Sequence, residues 1–381
     1  MTTISVDTVA GVRDRIRDAS RRGARLRVTG RGTWLDAGRP VRANETISTE
    51  GLSGITEYVP GDLTLTARAG TTLGEIRAAT GAHGQWLALD PFGSDEGTIG
   101  ATVATASAGP LFTYFGRPRD LVLGLEFVTG TGIIARGGGR VVKNVAGFDL
   151  TRLLTGSWGT LGLITEVAVR LHARPEADES IAISLGGGHG AHTVQQLLRR
   201  LPFVPYACEV VNEALAQTLV GKSELTALVR MGGNAESVRA QRAALAELGD
   251  VRSIDAAVWQ QLRSAEPAKA IVFRLSRLPS EIDRAWDEAA AVASDCPGTM
   301  IHASPVRGVV RCIVPTDSTT APQSVLDLFR SATTTKRVGE RLTSDAWTQI
   351  ASPLADALPS RLKQAFDPRG VLNPGIFGET K

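Results

Sequence analysis

Residues 97–109 read GTIGATVATASAG, and only Ile99 and Val103 among them are bulky enough to fill a core. A run so poor in large side chains buries little apolar surface, and its use is to let backbone come close to something else. Thr98 is suited to cap a helix that starts after it, and such a helix would aim its positive end at a phosphate. A second segment of this kind, Thr29-Gly30-Arg31-Gly32-Thr33, ends a short strand over Leu26–Thr29. Glycine there permits positive φ, so that successive N–H groups converge on one anion, and Arg31 would add charge. Singly, neither loop establishes a phosphate site, because most glycine-rich stretches are turns. Nor is the first a dinucleotide fingerprint: Leu35 stands where the third glycine should be, and no helix pattern follows at once. Gly137-Gly138-Gly139 and Gly186-Gly187-Gly188 have less context still and read as flexible turns.

The 381 residues suffice for two ordinary domains or three small ones. Val6 to Arg22 spaces Val9, Val12, Ile16 and Ala19 as an amphipathic helix does, and Gly23 ends it. Short strands split by glycine turns fill Ile47 to Val128, clearest at Leu63–Ala69 and Leu121–Thr129. Thr160–Leu171 alternates apolar and polar residues like a half-buried strand. After a polar linker, Arg174–Asp178, the texture changes. Strands are expected at Ile181–Leu185, Leu225–Met231, Ile271–Leu275 and Val309–Val314, and helices at Thr193–Leu201, Ala235–Leu248 and Ser280–Ala293. That pattern predicts an α+β layer, an antiparallel sheet with helices on one face. A final helix over Asp345–Phe366 precedes the tail DPRGVLNPG.

The net charge of +3 comes from scattered arginines, with no basic stripe interleaved with aromatics, so nucleic-acid binding is not expected. Cys208, Cys296 and Cys312 match no metal or redox spacing and suit a reduced, cytoplasmic chain. A cubane iron–sulfur cluster needs about four thiolates, which excludes one carried by this chain. No run reaches the roughly 18 apolar residues of a membrane helix. The opening MTTISVDTV has no basic region followed by an apolar run, so no signal peptide is expected.

Three longer segments carry a resemblance: LSGITEYVPGDLTLTARAGTTLGEI (Leu52–Ile76), GTIGATVATASAG (Gly97–Gly109) and GRVVKNVAGFDLTRLLTGSWGTLGLITEV (Gly139–Val167). Together they resemble the FAD-binding subunits of glycolate oxidase, also called glycolate dehydrogenase, within the vanillyl-alcohol oxidase type of flavoproteins. The match runs in order over residues 5–175 and resumes at FDPRGVLNPG (Phe366–Gly375). FRLSRLP (Phe273–Pro279) resembles a short family segment. The resemblance implies a two-part FAD-binding domain of the PCMH type over 1–175, an α+β cap over 176–340, and a tail, 341–381, returning to the FAD domain. It implies that Gly30, Arg31, Gly32, Thr33 and Trp34 form the pyrophosphate loop. Pro91, Thr98, Ile99, Gly100 and Thr102 would line the pyrophosphate and ring on the other side. Gly109 would lie beside the flavin, Ile164 would contact it through its backbone, and Asn373 would be a polar contact near the ring. The loop holds neither His nor Cys, and the nearest His is His83, so non-covalent FAD is expected.

No catalytic residue is assigned. A flavin dehydrogenase needs a base for the hydroxyl proton and usually a cation for the substrate carboxylate. The companion large subunit of the resembling complexes carries a motif like GEHGxG, and no counterpart occurs here. His83, His172 and His302 stand alone in the sequence and read as structural. His189 and His192 have a helical metal spacing but no third ligand nearby, and glycines break the helix, so no metal is expected. Arg230 and Arg274, in expected strands, are candidates for a carboxylate clamp or simply face solvent. Lys143 and Asn144 approach the flavin edge or only anchor their loop. The resemblance implies an FAD-binding subunit of a 2-hydroxyacid dehydrogenase complex, passing electrons from glycolate or a similar acid. Its partners would be a catalytic flavin subunit and an iron–sulfur subunit, with membrane contact through those partners alone. The alternatives are a stand-alone flavin oxidoreductase of another alcohol and a flavin-binding scaffold without chemistry.

Overall fold

The computed structural model describes residues 2–139, 149–186, 190–352 and 356–378. The chain forms two compact units, one of residues 1–109, 116–174 and 351–381, the other of 110–115 and 175–350.

The first unit begins with a strand β1 (Thr2–Ser5), a helix α1 (Val9–Arg22), and strands β2 (Leu26–Thr29) and β3 (Glu45–Ser48). Helix α1 is set by its sequence: Thr8 caps it by accepting from the Gly11 N–H, and Gly23 closes it at φ 67°. Its apolar stripe, Val12, Ile16 and Ala19, is fully buried. The three strands pair in parallel in the order β1-β3-β2. The chain's far end joins this layer: Leu26 N–H donates to Val371 O (2.7 Å), and Asn373 N–H donates to Leu26 O (2.9 Å). Val371 and Leu372 share the core of Val12, Ile16, Leu26 and Ile47. A five-stranded antiparallel sheet completes the unit, in the order Ile55–Val59, Thr64–Arg68, Leu163–Arg170, Val122–Val128, Ile134–Gly138. Its central strand was expected to be half-buried, yet Ile164 and Ala168 are covered as well as Leu163, Val167 and Val169. The alternation is real, but both sides of the strand are covered.

The second unit is built on an eight-stranded antiparallel sheet, in the order Asp250–Ile254, Ala177–Ser184, Thr226–Gly233, Ala207–Val211, Met300–Ser304, Val309–Pro315, Ala270–Ser276, Lys336–Arg341. Alternate residues face opposite sides. Ile181, Ile183, Ala227 and Val229 meet the helices Ala191–Arg200, Ala235–Leu245, Ile282–Asp295 and Gln323–Arg330. The sequence predicts helices on one face only, but Ala182, Leu228, Val272 and Ile313 pack against two more on the other. These, Glu213–Val220 and Val258–Arg263, are eight and six residues long and present Leu215, Ala216, Trp259 and Leu262. Segments that short carry too few turns for a periodic signal. Residues 110–115 join this unit too: the Tyr114 and Phe115 rings lie 4.6 and 5.0 Å from that of Tyr206, and Arg307 stands 4.0 Å over Phe112.

The helix expected over Asp345–Phe366 is interrupted. Ser344–Trp347 forms one short turn of the second unit and Ala357–Phe366 a helix of the first. Residues 348–352 are not helical, so the break begins directly after Trp347. Pro359 is accommodated because it falls in the first turn, where N–H groups have no intrahelical partner.

Candidate flavin site

Strand β2 delivers the chain into the loop Gly30–Trp34, and Gly32 sits at φ 74°. Among the described residues, the backbone N–H groups of Arg31, Gly32, Thr33 and Trp34 donate to no protein group. Consecutive amides left open on one loop form a concavity suited to an anion. The second glycine segment lies directly opposite, and a Cβ on Gly30 would collide with the Thr98 hydroxyl. The Thr98 side chain lying against this backbone is therefore why residue 30 is glycine.

Residues Ile99–Thr105 form a helix of about two turns, with Thr98 as its cap accepting from Ala101 N–H (3.3 Å). Its leading amides are already used: Ile99 N–H donates to Thr71 O and Gly100 N–H to Ala69 O, both 2.9 Å. The helix was expected to aim its positive end at a phosphate; the structure instead gives it the part of a thin wall. A Cβ on Gly100 would come within 2.6 Å of Ala69 Cβ, and one on Gly109 would collide with Asp90 O. The small residues let the helix press against the turn at Ala69 and let the segment after it press against Asp90.

A cleft open to solvent lies between the loops, about 1140 Å³ of empty space with its open mouth included. Gly30, Arg31, Gly32, Thr33, Trp34, Pro91, Thr98, Gly100, Thr102, Ile164 and Asn373 all line it. Two expected residues are not among its lining: Ile99 is buried in the core, and Gly109 backs onto Asp90. The sequence reading missed Val28, Ser94, Ser107, Trp158 and Ile376. Trp158 forms one wall, its ring 6.1 Å from that of Trp34 and nearly parallel to it (25°). It holds a left-handed backbone, φ 53°, while its N–H donates to Ala104 O (2.8 Å). No pattern marks a tryptophan for that conformation. The Trp34 indole N–H is buried and has no partner.

The charge around the cleft is largely committed. Arg31 pairs with Glu96 on the opposite loop (2.7 Å), both exposed, so its guanidinium is shared rather than reserved for a ligand. Arg27 donates to Leu35 O, and burial lowers its pKa against the pull of Asp36.

The candidate catalytic groups lie elsewhere or are already paired. Arg230 binds Asp178 through two donors, the Nε bond at 2.8 Å. Arg274 pairs with Glu340, which also holds Arg311 at 2.7 Å. Burial alone would raise the Glu340 pKa, but Arg311 and Arg274 outweigh it and keep the carboxyl below its usual range. His302, isolated in sequence, is not isolated in space: its Nδ1 lies 2.8 Å from Glu209, which also accepts from Ser304. His192 contacts Gln196 at 2.8 Å, and His83 packs edge-on against Tyr58. Burial, then Arg170, lowers the His172 pKa. Lys143, Asn144 and His189 lie outside the described residues.

A family model described as "FAD binding domain" matches residues 2–138. The chain is 32% identical over 356 residues to glycolate oxidase subunit GlcE of Escherichia coli (strain K12), covering 92% of this chain and 91% of that protein. It is 29% identical over 387 residues to glycolate oxidase subunit GlcD of Bacillus subtilis (strain 168), covering 91% and 82%. The fold matches that of p-cresol methylhydroxylase with a TM-score of 0.77 at 16% identity, over 99% of this chain and 88% of the other. The cleft fits FAD on its own terms. It offers four open amides for a diphosphate, glycines where a Cβ would intrude, and an unpartnered buried indole N–H. The chain belongs to the family of FAD-binding oxidoreductases that includes the glycolate oxidase subunits.

Proposed function

We propose that this chain is the FAD-binding subunit of a glycolate or 2-hydroxyacid dehydrogenase complex and passes electrons to partner subunits. The observation that carries this reading is the near full-length likeness to a protein named as a glycolate oxidase subunit. A chain of the same family, also named as such a subunit, supports a second flavoprotein as partner. The remaining partner would be an iron–sulfur subunit, and the substrate a small 2-hydroxy acid. The complex would work on the cytoplasmic side, reaching a membrane only through its partners. Among the described residues no helix is long and apolar enough to cross one.

FAD, when bound, accepts a hydride and releases electrons singly or in pairs. The chain's own work is to hold it. In this reading the amides of Arg31, Gly32, Thr33 and Trp34 cradle the pyrophosphate, and Thr98, Gly100 and Thr102 give the opposite wall. Pro91 and Ile164 would border the ring, with Ile99 and Gly109 supporting the wall from behind. Attachment would be non-covalent, since among the described residues neither His nor Cys lines the cleft. The pairing of Arg230 with Asp178 and of Arg274 with Glu340 favours a second form of the reading, in which the acid is oxidised on the partner and this flavin relays electrons.

The test is an absorbance spectrum of the purified chain before and after acid precipitation, followed by addition of glycolate with and without the partner subunits. Flavin released into the supernatant and reduced only when the partners are present supports the relay. A colourless chain that takes up no FAD would sink the reading, and rapid reduction of the isolated chain by another alcohol would replace it with a stand-alone enzyme.

A further inference from the structure

Asn373 lies at φ 43°, 6% exposed, at the edge of the cleft. Its carboxamide is anchored at both ends. The Oδ1 accepts the Val28 N–H at 2.7 Å, and the Nδ2 donates to Trp158 O at 2.7 Å. Val28 lies two residues before Gly30, in the strand that aims the open-amide loop. Trp158 carries the ring that stacks on Trp34 at the end of that loop. One side chain thus ties the start of the loop to the wall against which its end rests. The fit is close, since a Cβ on Gly159 would come within 3.0 Å of the Asn373 amide nitrogen. Each anchor is a part-buried backbone group, and such a group left unpaired is unfavourable. The left-handed backbone suits the role too, because asparagine tolerates that region better than any other side chain of its shape.

We infer that Asn373 is a positioning residue for flavin retention: it sets the loop Gly30–Trp34 against Trp158 rather than acting on the ring itself. Removing the amide should let the two walls separate and scatter the four amides that converge on the diphosphate, while leaving the surroundings of a ring that does bind unchanged.

The experiment measures FAD dissociation by flavin fluorescence on the full-length chain and three variants. Asn373→Gly removes the clamp but keeps the left-handed backbone free of strain. Asn373→Asp keeps the acceptor for Val28 but turns an oxygen towards Trp158 O. Asn373→Ala adds backbone strain to the loss. The expected result is an FAD dissociation constant raised about tenfold to a hundredfold in Asn373→Gly, as two part-buried groups lose partners. Asn373→Asp should fall between Asn373→Gly and the native chain. At saturating FAD, the visible spectrum and reduction potential of the bound flavin should match the native ones. Native affinity in Asn373→Gly would overturn the inference, and so would a shifted potential or spectrum, which marks direct contact with the ring. If Asn373→Gly does not fold, Asn373→Asp, which loses only the bond to Trp158 O, decides: unchanged FAD affinity in that variant overturns it.

Discussion

The tail's attachment rests on Asp367, and replacing it with alanine tests how much of the flavin-binding unit depends on that attachment. The Asp367 side chain is fully buried; its Oδ1 accepts Val371 N–H at 2.9 Å, and its Oδ2 accepts Leu372 N–H and Lys363 Nζ, both at 2.8 Å. Asp367→Ala strands two amides, at about 1.5 kcal/mol each, and removes a charged partner worth roughly another 1.5 kcal/mol. Lys363 keeps Thr160 O and Leu372 O as acceptors, which limits the damage on its side. The sum, about 4.5 kcal/mol, is a large part of the 5–15 kcal/mol typical of whole domains, so this unit should open well before the other. Hydrogen exchange at the Leu26 amide, which donates to Val371 O, reports on this unit alone. It should accelerate about a thousandfold at neutral pH, each factor of ten being about 1.4 kcal/mol. Acceleration of less than about fivefold would refute the reasoning, because the carboxylate would then not be holding the segment in place.

Gly30→Ala should weaken FAD binding at least about tenfold in an equilibrium titration, since the new methyl meets Thr98. Adding Thr98→Ala should restore part of that loss, although it removes the cap of the short helix at about 1 kcal/mol. Glu96→Gln should change the thermal midpoint little, because its exposed pair with Arg31 contributes well under about 1 kcal/mol. Glu340→Gln should flatten the acid side of the stability profile. The folded carboxyl is held below the unfolded value, so its contribution is present above the unfolded pKa and is lost as pH falls through the lower folded one. Urea midpoints between about pH 2 and 7 check the sign.

What could be read from the sequence was local. The stripe Val12-Ile16-Ala19 and Gly23 act within one helix, and the strand Leu26–Thr29 was legible residue for residue. The two glycine segments were legible as places of close approach, because small side chains signal that whatever they face. Which amides remain open was not. The sequence pattern pointed to the helix after Thr98, but Ile99 and Gly100 donate to Thr71 and Ala69, a pairing that no local motif records. Trp158 escaped for a related reason: its left-handed turn is stabilised by Ala104 and by Asn373, 215 positions away. His302 likewise seemed isolated because Glu209 lies 93 positions before it and meets it only across neighbouring strands.

The bond between Val28 and Asn373 spans 345 positions, and the tail lies alongside β2 as an extra parallel partner. A ribosome releases β2 345 residues before Asn373. The layer that aims the open amides is therefore incomplete until residues 371–373 emerge, and the second unit, contiguous apart from a six-residue segment, has emerged in full before them. Flavin loading then waits on a segment made after the whole second unit. A product truncated before residue 371 would present an ordered second unit and remain colourless.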